Sequence, residues 1–134
     1  MSITDLRNGI ATNLTTISGL RTAAELPDNP SPPVAVIQLV SVGYDGSFQQ
    51  GLTTYNFTVS VIVGRAAERE AQRRLDAYAS SSGSSSVKLA IQSDKTLSGN
   101  AYDVRVAEMS NIGAVLLGEA TYLAADFVVT VYAE

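Results

Sequence analysis

Residues 53–80 read Thr-Thr-Tyr-Asn-Phe-Thr-Val-Ser-Val-Ile-Val-Gly, then Arg-Ala-Ala-Glu-Arg-Glu-Ala-Gln-Arg-Arg-Leu-Asp-Ala-Tyr-Ala-Ser. In the first half Tyr55, Phe57, Val59, Val61 and Val63 alternate with Asn56, Thr58 and Ser60, which places them on one face of an extended chain. Aromatic and β-branched residues repeating every second position describe a half-buried strand. At Gly64 the alternation stops. Ala67, Ala71, Leu75 and Tyr78 then recur at helical spacing. The stretch therefore predicts a strand ending at Gly64 and passing through a very short turn into a helix. Each element has one apolar face to bury, and laying the helix back on the strand buries both.

Outward from this unit, residues 2–19 predict an amphipathic helix, with Ile3, Leu6, Ile10, Leu14 and Ile17 at three- and four-residue steps. Ser2 and Asp5 form a partial capping box at its start, and Gly19 is its stop signal. All four prolines fall within residues 21–33, which predicts a stiff extended crossing over the surface. Residues 34–42, Val-Ala-Val-Ile-Gln-Leu-Val-Ser-Val, predict a strand that is apolar on both faces for most of its length. Gly43, Gly46 and Gly51 punctuate a hairpin loop that displays Tyr44 and Phe48.

Past the central helix, the serine run 80–86 reads as a flexible turn and residues 84–93 as a short second helix. Alternation returns at 101–109, with Val104 and Val106 against Asp103 and Arg105. It returns again at 121–133, with Leu123, Ala125, Phe127, Val129 and Val131 on one side. Residues 111–120 between them read as an apolar connection. The expectation is one α+β domain spanning residues 1–134. It has about four mostly antiparallel strands in one sheet, with an N-terminal helix and a central helix pair packed on one face.

Composition narrows the function. Of 134 residues, 46% are hydrophobic and 16% charged, against roughly 25% charged in an ordinary soluble domain. Such a surface is expected to be covered by something. The formal net charge of −4 argues against direct nucleic-acid recognition. Arg65, Arg69, Arg73 and Arg74 do cluster, but Glu68, Glu70 and Asp76 are interleaved with them. That pattern reads as a solvated helix face with a Glu70–Arg74 pair, or, as the lesser alternative, a contact for an acidic partner. No cysteine or histidine occurs, which removes disulfides, thiolate and imidazole metal sites, and Ser-His or Cys-His nucleophiles. Neither a signal peptide nor an apolar run of membrane-spanning length is recognisable, so a soluble protein made and kept in a cytoplasm is expected.

The motifs that carry chemistry are weak or missing. Ser85-Ser-Val-Lys88 has the S-x-x-K spacing of penicillin-recognising enzymes, but it sits in a serine run without the companion motifs. No P-loop, G-x-S-x-G or G-x-G-x-x-G occurs. The sequons at Asn13 and Asn56 fall in a predicted helix and strand and read as chance. Asp94, Asp103, Glu108, Glu119 and Asp126 show no metal or acid/base spacing. No catalytic residue, no metal ligand and no cofactor is expected, and the chain reads as a non-enzyme.

Over nearly its whole length the chain resembles the tail terminator proteins of long-tailed, siphovirus-type bacteriophages, especially those infecting actinobacteria. The resemblance rests on the 6–20 helix and the crossing Leu26-Pro-Asp-Asn-Pro-Ser-Pro-Pro-Val-Ala-Val-Ile37. It rests also on the 55–63 strand entering a helix with Arg73-Arg74-Leu-Asp76, and on the closing 122–132 strand approached through Gly118-Glu-Ala-Thr-Tyr. It is a likeness of order and style rather than of a specific motif.

The resemblance implies an α+β fold and assembly of six copies into a ring. Such a ring caps the tail tube, ends tail polymerisation and presents the head-joining surface. The implied partners are further copies of the chain, the tail tube protein and the head-tail connector or head-completion protein. Its implied location is the virion at the head-tail interface, after assembly in the host bacterial cytoplasm. The alternatives are a head-completion or neck adaptor of the same virion and a small-molecule binding module unrelated to phage. The residues expected at interfaces are Tyr44, Asp45, Phe48, Gln49 and Gln50 in the hairpin loop, Arg69 and Arg73 on the helix, and Ile112, Val115 and Leu116 in the apolar connection.

Overall fold

The computed structural model describes residues 3–17, 19–23, 33–44, 53–65, 69–97, 99–117 and 120–133. Its elements are α1 (Ile3–Leu14), β1 (Arg21–Ala23), β2 (Val34–Gly43), β3 (Thr53–Arg65), α2 (Arg69–Ala79), α3 (Val87–Ile91), β4 (Asp103–Leu117) and β5 (Ala120–Ala133). The strands form one sheet in the order β1-β2-β3-β5-β4. Only the β1–β2 pair is parallel; β2–β3, β3–β5 and β4–β5 are antiparallel. The α+β class holds, with five strands in place of about four.

The alternating face of β3 does what its sequence demands. Tyr55, Phe57, Val59, Val61 and Val63 are all buried in one cluster with Ala35 and Ile37 of β2 and Ala125, Phe127, Val129 and Val131 of β5. Leu6, Ile10 and Leu14 of α1, Leu75 and Tyr78 of α2, and Val87 and Ile91 of α3 close over that face. Helix α1 lies against β2, α2 against β3 and β5, and α3 against β4. A smaller cluster, Val34, Ile62, Tyr122 and Ala124, sits apart from this core. Val34 and Ile62 are paired in register, as are Ile62 and Ala124. β2 is thus fully buried on both faces only near its start; beyond Ile37, Leu39 and Val42 are half-buried against the core while Gln38, Val40 and Ser41 are exposed.

Four readings are corrected. The first helix ends at Leu14 rather than running to 19. The Thr12, Thr15 and Thr16 hydroxyls each donate to a carbonyl three or four residues back. Such bonds compete with the helical ladder. The turn tightens through the Ile17 amide on Leu14 O, and Gly19 follows with φ +82°.

Residues 21–23 are not part of an unpaired crossing. They precede the first proline, keep their amide donors, and pair in parallel with Val34–Val36. Gly64 does not end β3. The strand continues to Arg65, and the register shift between Ile62 and Gly64 leaves Val63 as an extra residue, a β-bulge. The turn itself, residues 66–68, lies outside the described residues, as does Ser2 of the capping box.

The largest correction is at 111–117, where the strand continues in place of the expected connection; residues 118 and 119 lie outside the described residues. β4 runs on to Leu117 through two register shifts, between Val106 and Glu108 and between Ser110 and Gly113. Asn111, at φ +54°, sits in the second shift. Asn111 and Ile112 together oppose one residue of β5, so the stretch that read as a connection is a bulged strand.

Two close fits test this packing. Phe57 is among the largest fully buried side chains, and Phe57→Ala is expected to cost about 3–5 kcal/mol in chemical unfolding. A Cβ on Gly9 would stand 2.7 Å from Leu97 Cβ and 3.2 Å from Leu97 O. Leu97 is buried in a turn with φ +48°, its amide bonded to Asp94 O, so it has little room to retreat. Gly9→Ala should therefore destabilise by about 1–3 kcal/mol in the same assay, although alanine is the better helix former.

Candidate functional site

The carboxylates do not gather. Among the described residues no group of three or more Asp and Glu side chains could hold a metal ion. Asp126 accepts from Ser60 Oγ at 2.7 Å and from Asn111 Nδ2 at 3.0 Å. Asp103 Oδ1 accepts the Val104 amide, and Asp94 Oδ1 accepts both the amide and the hydroxyl of Thr96. Asn56 bridges Ser41 and Thr130. These bonds cross-link polar side chains between neighbouring strands or hold local turns.

The S-x-x-K pair also dissolves into structure. Ser86, not Ser85, is the buried serine. Its hydroxyl donates to Ser80 O at 2.6 Å and accepts the Leu89 amide at 3.2 Å, capping α3 and closing the serine run. The sequon residue Asn13 is buried, and its amide nitrogen donates to Ile91 O and Asp94 O. It binds α1 to the end of α3. Burial raises the Tyr78 hydroxyl above its ordinary pKa, and the charge of Arg74 opposes the rise.

What remains is surface. Tyr44, at the end of β2, is 77% exposed, and Val40 on the same strand is 65% exposed. Ile112 and Leu116 on β4 are 56% and 70% exposed, and Val115 is exposed beside them. Asp45, Phe48, Gln49 and Gln50 lie outside the described residues. Arg69 and Arg73 are exposed on α2. The expected Glu70–Arg74 pair is replaced by Arg73–Glu70 at 3.2 Å, while Arg74 Nη1 donates to Val63 O. Val40, Tyr102 and Leu89, all exposed, were missed. The apolar run 34–42 placed Val40 in a covered strand, but Val40 lies at the register shift between Leu39 and Ser41, on the part of β2 that β1 does not pair.

Apart from Leu89 and Tyr102, the exposed apolar residues form two groups. β1 pairs only with Val34–Val36, so among the described residues the remainder of β2, with Val40, is an open sheet edge. β4 is the opposite edge. Register also sets the groups at opposite ends of the strands. Gly43 opposes Thr54 and, beyond it, Tyr132, whereas Gly113 opposes Ala124 and, beyond it, Ile62. Val40 and Tyr44 thus occupy one corner of the sheet, and Ile112, Val115 and Leu116 the diagonally opposed one.

No helix among the described residues is long and apolar enough to cross a membrane. In comparison with known proteins, no family model matches the chain and no curated protein matches its sequence.

The two serines give opposite expectations. Ser86→Ala should lower unfolding free energy by about 1–2 kcal/mol, because α3 loses its cap. Ser85→Ala should stay within about 0.5 kcal/mol of the parent. Urea titration followed by circular dichroism distinguishes the two.

Proposed function

We propose that the chain is a structural virion protein. Six copies close into a ring that caps a phage tail tube, ends its polymerisation and offers the surface on which the head is joined. The reading starts from the resemblance in element order to tail terminators. The observation that supports it is the pair of apolar patches at diagonally opposed corners of the sheet.

A ring is built from heterologous contacts, in which one patch of each subunit meets a different patch of the next. Two distinct apolar patches suit that requirement; one self-complementary patch would suit a two-fold dimer. Exposed aliphatic and aromatic side chains on sheet edges also carry a cost for a lone subunit, because open edges invite pairing. Burial between subunits turns that liability into binding free energy. In this reading Ile112, Val115 and Leu116 form one side of the contact, and Val40 and Tyr44 the other. The tail tube protein and the head-completion protein meet the two rims of the ring, and the protein acts without a cofactor or catalysis.

The double change Ile112→Asp with Leu116→Asp tests the reading. Both side chains are exposed, so the subunit should keep its melting temperature, while rings disappear in negative-stain images and purified tail tubes stay uncapped. Rings that survive the double change would move the contact elsewhere. Wild-type protein that never binds tube ends would overturn the terminator assignment, and binding to the head vertex alone would make the protein a neck adaptor.

A further inference from the structure

A second surface lies along the lower half of β4. An open groove of about 400 Å³ runs between α3 and that strand, lined by Lys88, Gln92, Lys95, Asp103, Arg105 and the 104–107 backbone segment. Lys88 and Lys95 are the only lysines in the chain, and both border this groove. With Arg105 they set three cations against the single carboxylate of Asp103. This happens in a protein whose overall charge is −4. Among the described residues the one ion pair is Arg73–Glu70 on α2, so none of the three groove cations is neutralised by a described carboxylate within bonding distance.

The groove's polar groups are also set in a particular way. The Val106 amide can only donate, and it donates to Gln92 Oε1 at 3.0 Å. That fixes the orientation of the Gln92 carboxamide and leaves its NH₂ group as a donor. The Val104 amide is likewise taken, by Asp103 Oδ1. The outward amides on this part of the edge strand are therefore occupied by the chain's own side chains, which blocks simple strand addition. A ligand here is met by cationic heads and an amide donor, not by a β ladder.

We propose that this groove binds a carboxylate-rich segment of a protein partner. Positive groups held around an open groove favour a flexible anionic chain, because each carboxylate can find a separate cation. The groove is long, polar and shallow, unlike the apolar concavity that encloses a small molecule. The described lining holds no aromatic side chain on which a base could stack, so a nucleic acid would find nothing here beyond charge. The site is separate from the apolar patches of Ile112–Leu116 and Val40–Tyr44, and it stands or falls independently of the ring.

Fluorescence anisotropy of a dye-labelled deca-glutamate peptide on the full chain provides the test. Binding is expected at low salt and should fade as salt screens the contact. Lys95→Glu with Arg105→Glu changes two exposed side chains and should weaken binding by roughly tenfold or more. Arg21→Glu with Arg65→Glu makes the same change of net charge at two exposed positions away from the groove. It should alter binding by no more than about twofold, a small effect on the scale of affinities. Lys88→Gln, which removes one cation without reversing it, should fall between the two.

Three results would overturn the proposal. One is the absence of binding by the parent protein. The second is an equal loss in the two double variants, which would mean net charge alone. The third is an oligothymidylate of equal charge binding more tightly than deca-glutamate with the same variant dependence, which would mark a nucleic-acid surface. Retained thermal melts in the variants keep a loss of binding from being a loss of fold.

Discussion

The burial of one face of β3 is the constraint on which the other elements depend. β3 lies at the centre of the sheet, with β2 on one side and β5 on the other. Its Tyr55, Phe57, Val59, Val61 and Val63 contact residues from every helix through one continuous cluster. An isolated helix the length of α2 or α3 is marginal in water, and α1 carries threonines and a glycine that lower its intrinsic propensity. These helices persist because the sheet gives their apolar stripes somewhere to go. The close approach of Gly9 to Leu97 and the bonds from Asn13 to Ile91 O and Asp94 O then set α1 against the α3 region, so the helical layer is held laterally as well as from below.

The opposite face of the sheet follows a different rule. Asn56, Thr58, Ser60, Asp126 and Thr130 are half-buried, and several bond one another across strands. Those bonds satisfy polar groups that have no apolar layer above them, and they help to hold register where packing cannot. The sheet is therefore sided: one face makes the main core, and the other is polar across its middle with a small apolar cluster, Val34, Ile62, Tyr122 and Ala124, at one end. Its edges are sided too. The lower half of β4 is closed by Gln92 and Asp103, while its upper half carries Ile112 and Leu116 into solvent. A strand that protects half of its edge and leaves the other half apolar has two surfaces with different tasks. The first suits charge-based contact and the second suits burial against another polypeptide.

The described residues place exposed apolar side chains and a cation-lined groove along the two sheet edges. The reading as a tail-terminating ring rests on the order of elements along the chain and on the placement of exposed apolar residues. The serine–lysine spacing and the sequons lead instead to a helix cap and to a buried tie between helices. The low share of charged residues led to the expectation of covered surface, and Val40, Tyr44, Ile112 and Leu116 are exposed apolar residues at two corners of the sheet.

Much of the fold was legible in sequence, because side-chain period is a local property. Alternation identified β3 and β5 and the face each buries, and the three- to four-residue spacing identified α1, α2 and α3. The absence of cysteine and histidine settled which chemistries the chain itself cannot support. Pairing decided the rest. β1 is three residues long and has no pattern of its own; it exists because Val34–Val36 offers a free parallel edge. Gly64 and the stretch 111–117 read as breaks, yet β5 carries the ladder past them, with Val63 and the Asn111–Ile112 step taken up as bulges. Val40 is exposed on the part of β2 that β1 does not pair, and Lys88, Lys95 and Arg105 share a groove only because α3 packs beside the edge strand. Period is written within a few neighbouring residues, whereas register, edge and groove arise between segments far apart in the chain, and so only the tertiary structure could decide them.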